Sequence, residues 1–317
     1  MSADGATLGQ RLRERDVSAA PAALNLLEST AAADREQALA LLAELSPTAL
    51  GGEAPGHLIG VTGPPGAGKS TLLSALLAAW RARGLTVAML AVDPSSRRSG
   101  GALLGDRARI AFDPADGGLL IRSTAAGERL GGLARATRPA AGALAAAFDV
   151  VVIETVGVGQ AETEIAELAD TVAVVVQPGS GDVLQFLKSG IMEIPDVLVV
   201  TKADLGQIAT STRRDLAAAL RSLGAGATPV LTVSSLPPAT GIDELVEALG
   251  AHRRGLDLPA RRTRARREGA LADFTAEHGE AGLRALGGRQ AARGLLEHED
   301  GRLAPAALLA LLEDRLS

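Results

Sequence analysis

The stretch that decides the fold is Gly63-Pro64-Pro65-Gly66-Ala67-Gly68-Lys69-Ser70-Thr71, which matches the pattern G-x-x-x-x-G-K-S. It lies between an apolar run and a helix-forming run, the context in which this pattern forms a phosphate-binding loop. Glycines have no Cβ, so backbone N–H groups can point at phosphates at the positive end of the following helix. Lys69 is predicted to reach the β- and γ-phosphates, and the Ser70 hydroxyl to ligate Mg²⁺. The stretch therefore predicts that the chain binds a nucleoside triphosphate.

Seven short runs rich in β-branched residues alternate with helical patterns between about residues 57 and 250. The runs are Leu58–Thr62, Val87–Val92, Leu119–Arg122, Val150–Glu154, Val172–Gln177, Val197–Thr201 and Val230–Val233. Continuous apolar strands separated by helices indicate a parallel sheet covered on both faces. The sequence thus predicts an α/β fold of the P-loop NTPase type, with a mainly parallel sheet flanked by helices.

Two acids follow predicted strands at the edge where such folds bind ligands. Asp93 begins the stretch Asp-Pro-Ser-Ser and is placed for Mg²⁺ or its water shell, the alternative being an ordinary turn. Glu154 stands three residues before Gly157, as in the D-x-x-G arrangement of GTPases, where the acid holds a Mg²⁺-bound water and the Gly N–H senses the γ-phosphate. Gln160 could orient the attacking water. The loop Arg97–Arg107 is predicted to be a mobile switch.

The motif Thr201-Lys202-Ala203-Asp204 predicts which base is bound. A carboxylate such as Asp204 can accept both N1–H and the 2-amino hydrogens of guanine, a donor pair that adenine lacks, while the stem of Lys202 lies along the base. Ser234, Ser235 and Leu236 follow the next strand, where backbone N–H groups are expected to meet the guanine O6. Only three of the 32 basic residues are lysines, and two of them are Lys69 and Lys202. The sequence therefore predicts GTP rather than ATP.

These motifs assign roles to a small set of residues. The predicted catalytic residues are Lys69, Asp93, Glu154 and Gln160, the predicted metal ligands are Ser70, Asp93 and Glu154, and the predicted nucleotide contacts are residues 63–71, Gly157, Thr201, Lys202, Asp204 and residues 234–236.

Helical patterns flank the nucleotide-binding core. Residues 1–50 are predicted to be a helical N-terminal extension in which Asp34 caps a helix, residues 51–250 the P-loop GTPase domain, and residues 251–317 a helical C-terminal arm. Seven arginines between Arg253 and Arg267 predict a solvated helical face, with an acidic partner surface as the alternative. The apolar helix that begins at Pro305 needs burial, on its own core or on a second copy.

Composition excludes several functional classes. The chain is 47% hydrophobic and 22% charged, as in soluble globular proteins, and its net charge of −5 gives no electrostatic footprint for nucleic acid. No apolar run of membrane-spanning length and no basic leader occur, which predicts a cytoplasmic protein that does not bind membranes. The absence of cysteine excludes disulfides and thiolate chemistry, and four scattered histidines argue against structural zinc.

Taken together, the motifs resemble the methylmalonyl-CoA mutase-associated GTPase family of the MeaB/ArgK type, a branch of the P-loop GTPases. The resemblance covers about residues 20 to 250. It is carried by residues 23–28, 63–71, 93–96, 99–107, 154–162 and 185–193. It implies a Mg²⁺-dependent GTPase that docks on an adenosylcobalamin-dependent acyl-CoA mutase, gates loading of the cofactor and protects the mutase. It also implies a homodimer joined through helical extensions.

The chain departs from the family pattern in three places. Thr201 stands where Asn is usual, Val183 replaces the second Asp of a loop associated with signalling to the partner, and residues 122–132 displace an Arg-Gly pair. None of these departures affects the residues predicted to bind phosphate.

Three other functions fit the same fold. One is a phosphotransferase, such as a GTP- or ATP-dependent protein kinase acting on a component of an amino-acid transport system. Another is a metallochaperone GTPase that delivers nickel, which the lack of Cys and the dispersed His disfavour. The third is a scaffold that uses nucleotide only as a conformational switch.

Overall fold

A central sheet of seven strands dominates the structure, a computed structural model that describes residues 4–93, 110–125, 136–155, 161–179 and 195–316. The strands are β1 (His57–Thr62), β2 (Val87–Asp93), β3 (Leu119–Ala125), β4 (Val150–Thr155), β5 (Thr171–Val176), β6 (Val197–Val200) and β7 (Val230–Thr232). Their order is β3-β2-β4-β1-β5-β6-β7, and every neighbouring pair is parallel. Each predicted run falls on one strand, so the predicted fold class is confirmed.

Helices connect the strands and extend the chain at both termini. Within the described ranges they are α1 (Gly5–Arg13), α2 (Ala20–Glu28), α3 (Ala32–Glu44), α4 (Pro47–Leu50), α5 (Lys69–Ala82), α6 (Thr137–Ala147), α7 (Ala161–Leu168), α8 (Gln207–Ser222), α9 (Ile242–Arg254), α10 (Leu258–Ala285), α11 (Arg289–Glu297) and α12 (Pro305–Asp314). A break at Gly279, with φ of 62°, interrupts α10. None of these described helices is long and apolar enough to cross a bilayer.

The strands form because their side chains are buried. Every residue of β1, β4, β5 and β6 is buried, which explains why these strands are mostly apolar rather than alternating between apolar and polar residues. One layer of the core joins β1, β2, β5 and β6 to the apolar faces of α5 and α9, and includes the sole tryptophan, Trp80. Each fully buried Val, Leu or Ile contributes about 1.5–3 kcal/mol relative to exposure, so the sheet is a firm support for the loops at its edges.

The chain divides into two compact units. One consists of His57–Ala134 and Asp149–Leu256 and contains the whole sheet; we call it the sheet unit. The other consists of Met1–Gly56, Arg135–Phe148 and Asp257–Ser317; we call it the helical unit. Residues 1–50 and residues 257–317 thus belong to one unit, and α6, which lies within the predicted GTPase domain, belongs with them. Residues 251–256 of the predicted arm belong to the sheet unit.

In the helical unit, arginines of the basic stretch bind the chain's own oxygen atoms. Arg262 is 6% exposed and donates to the carbonyl oxygens of Ala54 and Gly56, each at 2.6 Å. Arg266 pairs with both carboxylate oxygens of Glu53 at 2.8 Å. The predicted helix is therefore present. The expectation of a solvated face is wrong for Arg262, because its guanidinium donates hydrogen bonds to backbone carbonyl oxygens that precede β1.

The terminal helix packs within the helical unit. Leu308, Leu309 and Leu312 of α12 are buried together with Leu271 and Phe274 of α10. Of the two predicted ways to bury this helix, packing on the chain's own core is the one observed.

The expected cap at Asp34 is wrong. Helix α3 begins at Ala32 with Ala31 as its N-cap, and Asp34 lies in the first turn. Its carboxylate accepts a hydrogen bond from the Ser29 hydroxyl at 2.6 Å instead, while Ser29 Oγ also accepts from the N–H of Ala31. The acid still lies near the positive end of the helix, where negative charge is favourable.

At the amino edge of the sheet, where the parallel strands begin, two histidines share one hydroxyl. His57 Nε2 and His252 Nδ1 each lie 2.8 Å from Thr171 Oγ1, and His252 Nε2 lies 3.2 Å from a carboxylate oxygen of Asp196. The contacts tie the start of β1 and the start of β5 to the C-terminal part of α9. These contacts stabilise this edge through side chains that are distant in sequence.

A buried carboxylate completes this edge. Asp170, whose side chain is fully buried, accepts from the backbone N–H of Leu58 at 3.0 Å and from Arg253 at 3.2 Å.

A second ion pair joins Arg81 of α5 to Asp116. Arg81 donates to both carboxylate oxygens of Asp116, at 2.6 and 2.7 Å. The hydrogen bonds from the Arg81 side chain and from the Gly118 N–H lower the pKa of Asp116.

Candidate functional site

The predicted phosphate-binding loop leaves the carboxyl end of β1 and runs into α5. Gly63, Gly66 and Gly68 have φ of 144°, 79° and 87°, a region that other residues rarely adopt. A Cβ on Gly63 would lie only 2.0 Å from the carbonyl oxygen of Val175 in β5, so no larger residue fits there. Gly68 is the N-cap of α5, and no side chain caps that helix. The loop thus directs the positive end of α5 toward any anion bound there.

Lys69 lies over this loop. It is 8% exposed, and its ammonium donates to the carbonyl oxygen of Gly63 at 2.7 Å and to that of Pro64 at 3.4 Å. A compact ammonium on a thin stem suits this position, whereas the planar fork of Arg requires more width. The structure therefore places the predicted phosphate-binding lysine within its own loop.

Thr201 joins the predicted guanine motif to the phosphate-binding loop. It follows β6 and is 3% exposed, and its hydroxyl donates to the carbonyl oxygen of Ala67 at 2.6 Å. Its backbone N–H donates to Val176 in β5. The replacement of Asn by Thr at this position thus retains a side-chain hydrogen bond to the loop.

The next residues of the guanine motif are also ordered by side-chain contacts. Lys202 adopts a left-handed conformation with φ of 54°, and its ammonium donates to Gln177 and to the carbonyl oxygen of Gly66. Asp204 is exposed and accepts from the hydroxyl of the buried Ser234 at 3.0 Å. The prediction that the Ser234 N–H meets the guanine O6 is wrong, because that N–H donates to the carbonyl oxygen of Thr240 at 3.0 Å. The Ser234 hydroxyl contacts the Asp204 carboxylate instead. Ser235 and Leu236 follow it in the loop, Leu236 with 58% exposure.

The two predicted acids come from neighbouring strands. Glu154, 4% exposed, lies near the carboxyl end of β4, in register with Val61 of β1 on one side and Ala91 of β2 on the other. Asp93 is the last residue of β2, two residues beyond Ala91. Ser70 is in the first turn of α5. A hydroxyl and two carboxylates are hard oxygen donors, and this donor set fits Mg²⁺.

Gly157, Gln160, Val183, the predicted switch Arg97–Arg107 and most of residues 122–132 lie outside the described residues. The described part of the site therefore consists of the phosphate-binding loop, the strand-end acids and the guanine motif. All three sets lie at the carboxyl edge of one sheet, which is where open α/β sheets bind nucleotides.

Comparison with known proteins decides the family. The family model described as methylmalonyl-CoA mutase-associated GTPase MeaB matches residues 20–281. The chain belongs to the MeaB family. It is accordingly a P-loop GTPase, which binds GTP and hydrolyses it to GDP.

Individual relatives are also described as GTPases. A putative GTPase of Pyrococcus abyssi is 42% identical over 266 residues, which cover 82% of this chain and 79% of that protein. A probable GTPase of Mycobacterium tuberculosis is 42% identical over 257 residues, with coverage of 78% and 75%. A solved structure described as a LAO/AO transport system kinase superposes with a TM-score of 0.67 at 28% identity, covering 99% of this chain and 98% of the other.

Motif analysis missed one residue of this site. Gln177 was assigned only as the end of a strand, yet it contacts the predicted guanine-binding lysine. The signal was present in principle, because a polar side chain ends an otherwise apolar strand at the ligand-binding edge. Recognising it required the knowledge that β5 and β6 are neighbours, which the strand pattern alone does not give.

Proposed function

We propose that this MeaB-family GTPase hydrolyses GTP at the carboxyl edge of the sheet and acts as a chaperone for an adenosylcobalamin-dependent acyl-CoA mutase. One observation carries the assignment of the site. The hydrogen bond from Thr201 to Ala67 holds the guanine motif against the phosphate-binding loop. A single nucleotide can therefore place its phosphates on residues 63–71 and its base beside Asp204.

The proposed chemistry is attack of water on the γ-phosphorus of GTP. A bond forms between the water oxygen and the γ-phosphorus, the bond to the β–γ bridging oxygen breaks, and GDP and inorganic phosphate result. Lys69 and the loop N–H groups stabilise the negative charge on the phosphate oxygens. Gln160 is proposed to orient the attacking water.

We propose that Ser70, Asp93 and Glu154 hold Mg²⁺, directly or through its water shell. When bound, the metal neutralises charge on the β- and γ-phosphates. Glu154 is one methylene longer than the Asp usual in GTPases, so we assign it to a metal-bound water. Gly157 is proposed to sense the γ-phosphate through its N–H. Ser235 and Leu236 are proposed to meet the guanine O6 through their N–H groups.

The proposed partner follows from the family. The matching model is described as mutase-associated, and a relative from Mus musculus, 41% identical over 157 residues that cover 49% of this chain and 38% of that protein, is described as a methylmalonic aciduria type A homolog. We propose that the chain binds methylmalonyl-CoA mutase or a close relative, gates its cobalamin loading and protects it from inactivation.

Co-purification tests this partnership. Purified protein would be mixed with a candidate mutase in the presence of a non-hydrolysable GTP analogue, of GDP, or of no nucleotide. We expect a complex whose amount depends on the nucleotide, with GTP hydrolysis accelerated by the mutase. Equal recovery with an unrelated CoA-dependent enzyme, or none under any condition, would contradict the partnership while leaving hydrolysis intact.

Protein phosphorylation is a second candidate, favoured by the similarity to the LAO/AO transport system kinase, whose structure covers 99% of this chain. The two candidates differ in the acceptor of the γ-phosphoryl group. Labelled GTP should release its phosphate to water if the chain is a hydrolase, and to a protein acceptor if it is a kinase.

We also propose a homodimer formed through the helical unit, as the family resemblance implies. Light scattering coupled to size exclusion measures its mass directly, and a mass near twice 32.1 kDa is expected.

A further inference from the structure

Gln177 contacts the guanine-motif lysine from a neighbouring strand. It immediately follows β5, and the pairing of Val176 with Val200 places it beside the residues that follow β6. Its side-chain oxygen accepts a hydrogen bond from the ammonium of Lys202. That ammonium also donates to the carbonyl oxygen of Gly66, at 3.4 Å.

The backbone of Lys202 has an unusual conformation. Its φ of 54° and ψ of 44° are left-handed, which is unfavourable for a residue with a Cβ. A tight turn follows, in which Leu205 N–H donates to Lys202 O at 3.0 Å. Such strain, concentrated at a binding motif, is consistent with a side chain whose direction matters for function.

The two acceptors of the Lys202 ammonium, Gly66 and Gln177, lie at different distances from it. The 3.4 Å contact to Gly66 lies beyond the usual range for N–H···O bonds, so it restrains the ammonium weakly. A lysine has four rotatable bonds, and ordering it during ligand binding reduces affinity. The closer contact, to Gln177, is therefore the one that orders this side chain before nucleotide arrives.

We propose that Gln177 is a positioning residue for guanine-nucleotide binding, because it fixes the stem of Lys202 in the orientation that packs along the base. The proposal rests on the proposed nucleotide site. It concerns binding rather than hydrolysis, since Gln177 is proposed to act through Lys202.

A double-mutant cycle on GDP affinity tests the proposal. The variants are Gln177→Ala, Lys202→Ala and the combination, measured by calorimetry with Mg²⁺ on the full chain. Loss of one hydrogen bond at this exposed position should weaken GDP binding about three- to tenfold in Gln177→Ala. In the Lys202→Ala background the same substitution should change affinity less than about twofold, because no ammonium remains to be positioned.

Two further variants separate positioning from a structural role. Gln177→Glu retains an oxygen acceptor and should bind GDP within about twofold of wild type. Gln290→Ala, which changes an exposed glutamine of α11 in the helical unit, is the matched control and should leave affinity unchanged.

Three results would overturn the proposal. They are unchanged affinity in Gln177→Ala, an equal loss in the presence and absence of Lys202, and failure of Gln177→Glu to restore binding. Absence of GDP binding by wild type would instead refute the nucleotide site itself, and the proposal with it.

Discussion

The amino and carboxyl edges of the sheet use polar side chains in opposite ways. At the amino edge, the Thr171 hydroxyl lies between the side chains of His57 and of His252 in α9. The Asp170 carboxylate accepts from Arg253 of α9 and from the backbone N–H of Leu58. At the carboxyl edge, glycines with positive φ expose the start of α5, and the Lys69 ammonium donates to carbonyl groups of its own loop. One edge stabilises the fold, and the other presents groups suited to a ligand.

This difference leads to separable effects of mutation. Substitutions at the carboxyl edge should change nucleotide binding and turnover with small effects on folding. Substitutions at the amino edge should change the free energy of unfolding with small effects on the nucleotide.

The largest effect is expected for Lys69→Ala. Loss of one group that stabilises transferring phosphate charge typically lowers turnover on the order of 10²- to 10³-fold. Phosphate release from GTP measures it, with Arg214→Ala, an exposed residue of α8, as the control. Hydrolysis at the wild-type rate by a folded Lys69→Ala protein would refute the assignment.

The second largest effect, a loss of GTP affinity, is expected for Asp204→Asn. The amide cannot accept both guanine hydrogens, so GTP affinity should fall about 100-fold, as expected for loss of charge-assisted hydrogen bonds. Binding should shift toward xanthine nucleotides, whose 2-oxo group accepts from an amide. Competition between GTP and XTP measures the shift, and Asp243→Asn, 82% exposed, should leave the preference unchanged.

How far the sequence predicts this site depends on the range of each interaction. The phosphate-binding loop and the guanine motif are local patterns, so spacing alone predicts nucleotide contacts at residues 63–71 and Asp204. The contacts of Thr201 with Ala67 and of Lys202 with Gln177 span 134 and 25 residues. They depend on strand order, which apolar runs do not encode.

The same limit applies to the fold. All seven strands were predicted, because buried parallel strands leave continuous apolar runs. The contacts of His57 and His252 with the Thr171 hydroxyl were not predicted, because two histidines 195 positions apart share no local pattern. The sequence of the arginine-rich stretch also does not show that Arg262 donates hydrogen bonds to the carbonyl oxygens of Ala54 and Gly56.

At the amino edge, Asp170→Asn should destabilise the protein by about 1.5–3 kcal/mol, because a buried charge-assisted hydrogen bond to Arg253 is lost. Urea unfolding measures the change, and GDP affinity should stay within about twofold. Glu247→Ala removes an exposed partner of Arg254 and should cost at most about 1 kcal/mol. A large loss of GDP affinity in Asp170→Asn would show that the two edges are not independent.

The smallest effect concerns Asp116 and depends on pH. Because hydrogen bonds from Arg81 and Gly118 lower its folded-state pKa from the ordinary 3.8, this carboxylate adds stability above pH 3.8. That stability is lost as pH falls through the lower, folded-state pKa. Asp116→Asn should therefore cost about 0.5–1 kcal/mol at pH 7, the range of well-formed surface pairs, and less at pH 3. A cost that grew toward acid pH would contradict the sign.

The central claim is that the loop ending at Ser70 and the carboxylate of Asp204 bind one guanine nucleotide. Calorimetric titration of the full chain with GTP and with ATP, each with Mg²⁺, tests it most directly. We predict saturable heat for GTP, little for ATP at the same concentrations, and much weaker binding of GTP by Lys69→Ala. Equal binding of both nucleotides, or no heat for GTP at high protein concentration, would contradict it.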